Sequence, residues 1–286
     1  MIPATFDYVR PASLDEALDL VGKPGVKLIA GGQSLLPLMK LRLARPETLV
    51  DLNRIAELKG IRRLDDGRLA VGAATTYAEL LDSEAMAYGV LRDAVPEIGD
   101  IQVRNLGTVG GAIAHCDPAS DLPACLLALD AELVVRSRRG ERAIACDGFF
   151  TGAFLTALDD DEVVIEVRLP APRDDIGSAF VALSQPASGY SLVGVAAAVS
   201  RSNDPSTIAD VRVAITGVGE APYRARGVEG ALVGSDGSAD AIAAAAVHAA
   251  DGIEVNSDIH ADREYRTSMA TVYTRRAIEA ALARLA

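Results

Sequence analysis

The stretch VKLIAGGQSL, Val26 to Leu35, decides how the opening of the chain is read. Val26 to Ala30 is a short apolar run that reads as a buried strand, and Gly31-Gly32-Gln33-Ser34 then breaks it before an apolar stretch containing Pro37. A strand delivering the chain to two residues without a Cβ lets consecutive backbone N–H groups approach an anion closely. A phosphate could sit at this turn; the other reading is a tight turn that needs glycine only for its φ angles. Upstream, a helix starts at Ser13, with Glu16 as the far half of a capping box and Leu14, Ala17, Leu18 and Val21 on one face, and stops at Gly22, Pro24 and Gly25. Downstream, Thr48 to Leu52 fits another strand. The opening is therefore βαβ-like, with helices between parallel strands.

The character changes at Ile61. Ile61 to Leu64 and Arg68 to Ala73 flank Asp65-Asp66-Gly67, a hairpin signal between antiparallel strands. Helical patterns follow at about Tyr77 to Ala85 and Val90 to Ile98. Then comes IQVRNLGTVGGAIAHCDPASDLPA, Ile101 to Ala124, which has no clean period. An apolar helix to Leu129, a strand Ala131 to Arg136, a turn at Arg139-Gly140 and a strand around Glu162 to Leu169 complete this region. Pro170, Pro172, Asp174 and Asp175 mark the best boundary, giving domains 1–175 (subdomains about 1–58 and 59–175) and 176–286. The second domain reads as strands Ser178 to Leu183, Leu192 to Ser200 and Asp210 to Thr216, a three-stranded antiparallel sheet, closed by helices Ala239 to Ala250 and Glu264 to Leu285. The fold class is α+β.

A second glycine pair stands in Thr108-Val109-Gly110-Gly111, where a hydroxyl joins it, and Ser120 and Asp121 precede the apolar helix downstream. Asp121 is either that helix's N-cap or an acceptor for a ribose hydroxyl. Gly217-Val218-Gly219 follows a strand, but Glu220, Ala221 and Pro222 stand where a pyrophosphate-binding helix would begin, so it is no Rossmann site. His115, His248 and His260 are scattered, no serine has a GxSxG setting, and Asp159-Asp160-Asp161-Glu162 reads as a solvated hairpin turn. Cys116, Cys125 and Cys146 match no metal clip and read as buried, unpaired thiols.

Composition narrows the partners. With 28 Lys plus Arg against 40 Asp plus Glu, a net charge of −12, no basic surface exists for nucleic acid. The absence of Trp and the 4% aromatic content argue against stacked-base or carbohydrate platforms. The longest apolar tract, Ala241 to Ala250, falls well short of the ~20 residues that cross a bilayer. MIPATFDYVR lacks the regions of a secretory signal, which makes a cytoplasmic protein the default.

Taken in order, AGGQSL (Ala30 to Leu35), TVGG (Thr108 to Gly111) and DPASDLPA (Asp117 to Ala124) resemble the FAD-binding medium subunit of molybdenum hydroxylases, as in aerobic carbon monoxide dehydrogenase. FDYVRPASLDEAL, LVDLNRI, GAATTYAEL and QVRNLGTVGG extend the resemblance over essentially the whole chain. It implies a vanillyl-alcohol-oxidase-type (PCMH-type) fold, two α/β subdomains clasping FAD with a third domain behind. It assigns the FAD diphosphate to Ala30, Gly31, Gly32, Gln33, Ser34 and Leu35 and to Thr108, Gly110 and Gly111. Ser120 and Asp121 match the adenosine side, Ile165 in EVVIEVRLP a position lining the flavin, and Tyr190 an aromatic close to the isoalloxazine.

Three departures stand out. Ala112 replaces the asparagine that follows the TxGG glycines in many relatives; Gln185-Pro186-Ala187-Ser188-Gly189 replaces the usual charged residues ahead of Tyr190; and Gln33 stands where the related AGGHS form has histidine, so FAD is expected non-covalent. In this picture molybdopterin sits on a large partner subunit and the [2Fe–2S] clusters on a small one, in a dimer of heterotrimers. FAD here is the electron outlet. The alternatives are a self-contained flavin oxidase or dehydrogenase of the same FAD-binding superfamily, and a non-catalytic nucleotide-binding or scaffold protein.

Overall fold

A computed structural model describes residues 2–202, 204 and 206–285. β1 (Asp7–Val9), α1 (Leu14–Leu18), β2 (Val26–Ile29), α2 (Leu35–Lys40) and β3 (Thr48–Asp51) build the first subdomain, whose sheet runs β1-β3-β2 with both pairings parallel. Half of the expected capping box of α1 forms: the Ser13 side chain accepts from the Glu16 N–H, but the Glu16 carboxylate accepts from the N–H of Ala12, one residue ahead of the N-cap, at 2.8 Å. Leu14, Ala17 and Leu18 are buried against Val50, Leu52, Ile55 and Leu58, and Ala74 and Val163 of the next subdomain complete this small core. The two subdomains thus share apolar surface, and their relative placement is fixed by packing.

The second subdomain contains β4 (Ile61–Arg63), β5 (Leu69–Gly72), α3 (Tyr77–Leu81), α4 (Gly89–Ala94), α5 (Ile101–Leu106), α6 (Val109–His115), α7 (Asp121–Ala128), β6 (Glu132–Ser137), β7 (Gly140–Ala145), β8 (Phe150–Gly152), β9 (Leu155–Thr156) and β10 (Val163–Leu169). Its main sheet has the order β4-β5-β10-β6-β7, antiparallel throughout. The hairpin read at Asp66-Gly67 is present, with Gly67 at φ +85°. The aperiodic stretch 101–124 resolves into α5, α6 and the first turn of α7. Helices of six and seven residues, one holding a glycine pair, are too short to show a repeat. β7 shows no alternation because it is the mostly exposed edge strand of the sheet.

Behind these lie β11 (Ile176–Ser184), β12 (Ser191–Arg201), β13 (Ile208–Thr216), β14 (Tyr223–Arg224), α8 (Arg226–Leu232), α9 (Ala239–Ala246) and α10 (Arg263–Leu282). The expected antiparallel strands are all there, joined by the two-residue β14 as a fourth. α9 ends at Ala246, not Ala250, and His248 lies beyond it, 2.6 Å from Asp251 Oδ2. α10 buries Ala270, Ala277, Ile278 and Ala281 on the sheet. At Gly177 the backbones come so close that a Cβ would lie 2.0 Å from the Ala281 carbonyl oxygen. The third domain is also fastened to the second subdomain: Arg284 reaches Asp93 at 2.6 Å and the Ser178 carbonyl at 2.7 Å.

Candidate functional site

A cleft of about 1250 Å³ separates the two subdomains, floored by β2 and its following turn on one side and by α6 and the α6–α7 loop on the other. The β11–β12 hairpin contributes Ser188, Gly189 and Tyr190 to its lining. Every residue from Ala30 to Leu35 lines it, as do Thr108, Gly110, Gly111, Ser120 and Asp121. These residues, read from separate parts of the sequence, are therefore brought together.

At the first turn the carbonyls are occupied and the N–H groups are not. Asn53 Nδ2 donates to the Ala30 carbonyl at 2.9 Å, Gln33 Nε2 to that of Gly31 at 3.0 Å, and the Leu36 N–H to that of Gly32 at 3.0 Å. Among the described residues no acceptor takes the N–H groups of Gly31, Gly32, Gln33, Ser34 or Leu35, and the Ser34 side chain makes no capping bond. A run of free N–H groups around a glycine in the left-handed region, Gly32 at φ +70°, is an anion cradle. It fits a diphosphate. Gly31 has a second reason to be glycine: a Cβ there would lie 2.3 Å from the Leu106 carbonyl oxygen and 2.7 Å from Gly107 Cα. The turn is seated directly on the other subdomain.

The second glycine turn is built differently, and this corrects the equivalence expected of the pair. The Val109 N–H donates to the Thr75 carbonyl at 3.0 Å, that of Gly110 to Ala73 at 2.7 Å, that of Ala112 to Thr108 at 3.1 Å, and that of Gly111 to Thr108 Oγ1 at 3.1 Å. The first-turn N–H groups of α6 are thus all satisfied within the protein. Gly110 is needed because a Cβ would lie 2.5 Å from Ala73 Cβ. Close packing draws α6 onto β5's end and shapes the cleft wall.

Asp121 is not an N-cap; that position is Ser120, and Asp121 is the first residue of α7. Its carboxyl is buried and accepts from Ser191 Oγ of the third domain at 2.6 Å. Burial pushes its pKa up to about 6, against the lowering effect of that hydrogen bond. Thr216 Oγ1 lies 2.8 Å from the Pro118 carbonyl oxygen and 2.9 Å from that of Ser120, and the Gly217 N–H donates to Pro118 at 2.8 Å. The third domain therefore holds the α6–α7 loop in place.

Tyr190 lines the cleft half-exposed, but Ile165 does not line it. A bulge between Val164 and Glu166 takes Ile165 out of register, and it packs on the first subdomain's core while its carbonyl accepts from the Ala73 N–H at 2.9 Å. Its neighbours Val163 and Val164 line the cleft instead. Sequence reading also passed over Lys27, Tyr77, His115 and Phe154, all in the lining. The His115 and Phe154 rings pack tilted at 43° with centroids 5.0 Å apart, and burial holds the His115 pKa below the ordinary value. Nothing local marks Lys27 or Phe154 as cleft residues.

The acidic run lines one edge of the cleft through Asp159, Asp160 and Glu162, and most of its charge is matched: Arg139 contacts Asp159 at 2.8 Å and Asp161 at 2.7 Å, and Arg142 contacts Glu162 at 2.6 Å. Among the described residues no cluster of His, Cys, Asp or Glu could hold a metal, the cysteines are buried and free, and no helix is long and apolar enough to cross a membrane.

Comparison with known proteins agrees with this geometry. Residues 4–172 match the FAD binding domain in molybdopterin dehydrogenase, and residues 178–281 match the CO dehydrogenase flavoprotein C-terminal domain. The chain is 39% identical over 290 residues to the carbon monoxide dehydrogenase medium chain of Hydrogenophaga pseudoflava, covering 100% of both. It is 35% identical to the 6-hydroxypseudooxynicotine dehydrogenase complex subunit alpha of Paenarthrobacter nicotinovorans, over 99% of this chain and 97% of that one. A solved structure of Hydrogenophaga pseudoflava carbon monoxide dehydrogenase, in a form lacking the Mo-pyranopterin moiety of the molybdenum cofactor, contains a chain that superposes with a TM-score of 0.96 at 40% identity, covering 100% of each. With its two subdomains around the cleft, its C-terminal domain behind and this likeness along its whole length, the chain belongs to the family of FAD-binding medium subunits of molybdenum hydroxylases.

Proposed function

We propose that this chain holds one non-covalent FAD in the inter-subdomain cleft, accepts electrons from [2Fe–2S] clusters of a small partner subunit, and passes them to an external acceptor. Substrate is oxidised on a large molybdopterin subunit, and the complex is a dimer of heterotrimers in the cytoplasm. The observation that carries the reading is the run of free N–H groups from Gly31 to Leu35, a neutral cradle for a dianionic diphosphate in an otherwise acidic protein. Ala30 to Leu35 would hold that diphosphate, with Thr108, Gly110 and Gly111 fixing the opposite wall, Ser120 and Asp121 facing the adenosine half, and Tyr190 near the flavin ring. Ile165 would act from behind the lining, through Val163 and Val164. FAD, when bound, supplies the redox chemistry; the protein's part is binding, orientation and exclusion of water. We place the domain boundary at 175/176, in the segment joining β10 to β11.

The relatives support leaving the substrate to the large subunit. Two of them, similar to this chain over nearly its whole length, carry the names of carbon monoxide and 6-hydroxypseudooxynicotine dehydrogenases. The flavoprotein scaffold is compatible with very different substrates. The test is direct: the FAD-loaded chain alone is expected to bleach with dithionite and to stay oxidised with carbon monoxide, aldehydes, purines or nicotine-like heterocycles. Acid precipitation should release the yellow cofactor into the supernatant. Anaerobic bleaching by any of those substrates without a partner would favour the self-contained oxidase, and flavin retained in the pellet would refute non-covalent binding.

A further inference from the structure

Tyr77 is 6% exposed and lies on α3 directly beneath the junction of the two subdomains. Its N–H donates to the Gly107 carbonyl at 3.0 Å, and its ring packs so closely there that a Cβ on Gly107 would lie 3.0 Å from Cε2. Gly107 is in turn the residue on which Gly31 of the anion cradle is seated. A buried tyrosine hydroxyl ordinarily finds a partner. The others here do: Tyr88 donates to the Pro170 carbonyl, and Tyr223 to that of Ala249 at 3.0 Å. The Tyr77 hydroxyl has no partner among the described residues, yet it is not one of the fully enclosed unpaired atoms, which are Arg266 Nε and Thr274 Oγ1. Tyr77 is also one of the residues that line the cleft, the open space beside it that an unbonded, incompletely enclosed oxygen can face. Nearby, the Asp121 carboxyl gives Oδ1 to Ser191 and leaves Oδ2 without a protein partner.

Resting on the FAD reading above, we propose that Tyr77 is a further cofactor-binding residue, whose phenol hydrogen-bonds a sugar-type hydroxyl of FAD in partnership with the free oxygen of Asp121. The chemistry selects that class of group. A carboxylate accepts and repels phosphate, a phenol donates and accepts, and a hydroxyl satisfies both at once. Burial raises the phenol's pKa well above its ordinary value, so it remains a donor. FAD has two such sources, the ribose of its adenosine half and the ribityl chain of its flavin half.

The experiment is calorimetric titration of the full chain, stripped of flavin, with FAD, ADP and FMN, for wild type and Tyr77→Phe. Because the hydroxyl has no protein partner, the variant should keep the apo melting temperature while its FAD affinity falls about threefold to tenfold, the effect of one neutral hydrogen bond. A matching loss for ADP with FMN unchanged assigns the ribose; a loss for FMN with ADP unchanged assigns the ribityl chain. Unchanged FAD affinity in a folded variant overturns the proposal, as does a lowered apo melting temperature with unchanged affinity, which would make Tyr77 a packing residue. Failure of the wild type to bind FAD would instead overturn the cofactor reading beneath it.

Discussion

Gly31→Ala tests whether the first turn holds the diphosphate through its position on the other subdomain. The added Cβ would sit 2.3 Å from the Leu106 carbonyl oxygen and 2.7 Å from Gly107 Cα, both backbone atoms that no side-chain rotation can clear. Ordinary non-bonded contact begins near 3.5 Å, so the turn and the α5–α6 junction must separate by roughly 1 Å. A hydrogen bond made at about 2.9 Å is lost at that displacement. Each charge-assisted bond from the cradle to a phosphate oxygen contributes about 1.5–3 kcal/mol, so losing even one weakens FAD by roughly 10- to 150-fold. Overpacking the junction should also lower apo stability by about 1–3 kcal/mol. Flavin titration by calorimetry and urea unfolding of the flavin-free chain separate the two effects. A variant that is destabilised yet binds FAD within twofold of wild type would show that the turn locks the subdomains without touching the cofactor.

Two further outcomes follow from the same geometry. For Asp121 the folded pKa, about 6, lies above the ordinary carboxylate value. The native state therefore binds more protons than the unfolded one between about pH 4 and pH 6, and this group's contribution to stability declines as pH rises through that window. Asp121→Asn cannot ionise, so its unfolding free energy in urea should gain on wild type through that range, reaching about 3 kcal/mol by pH 7; a gap that stays constant from pH 4 to pH 8 would refute the burial argument. Gly230, exposed within α8 and with nothing near its Cβ position, is the control: Gly230→Ala should stabilise by about 0.5–1 kcal/mol and leave FAD affinity unchanged, and a destabilisation would contradict its placement in the helix.

What the sequence made legible was local. Ser13 and Glu16, the glycine at 67 and the apolar run before Gly31 each mark the start of an element or a turn within a few residues, and these stand where they were read, although α1 ends at Leu18 and leaves Val21 outside it. The same local reading treated the two glycine pairs as alike, because spacing cannot reveal that Ala73 and Thr75 take the N–H groups of Gly110 and Val109. The family resemblance put Ile165 in the lining, and a matched position does not reveal the bulge between Val164 and Glu166 that turns it away. Asp121 looked like a cap because its partner, Ser191, lies 70 residues away in another domain. The missed groups share a cause. Tyr77 gains its meaning from Gly107 and Phe154 from His115, contacts that only the folded chain creates.

Those long-range contacts give the third domain a direct part in the site. It contributes Tyr190 and Ser188 to the cleft lining, but its deeper effect is on the α6–α7 loop. Thr216 and Gly217 hold the carbonyls of that loop, and Ser191 holds the carboxyl of Asp121 from behind. Arg266 on α10 then fixes the strand ends that supply these groups, donating through Nη1 to the carbonyls of Leu192 and Gly217, each at 2.7 Å, and pairing with Asp258 at 2.6 Å. A buried guanidinium tied to two strand-end carbonyls resists displacement, because any shift strands polar groups away from water. The α6–α7 wall of the cleft is thus positioned by residues that never enter it, a physical reason for the resemblance to extend through the C-terminal domain when the glycine motifs lie entirely before it.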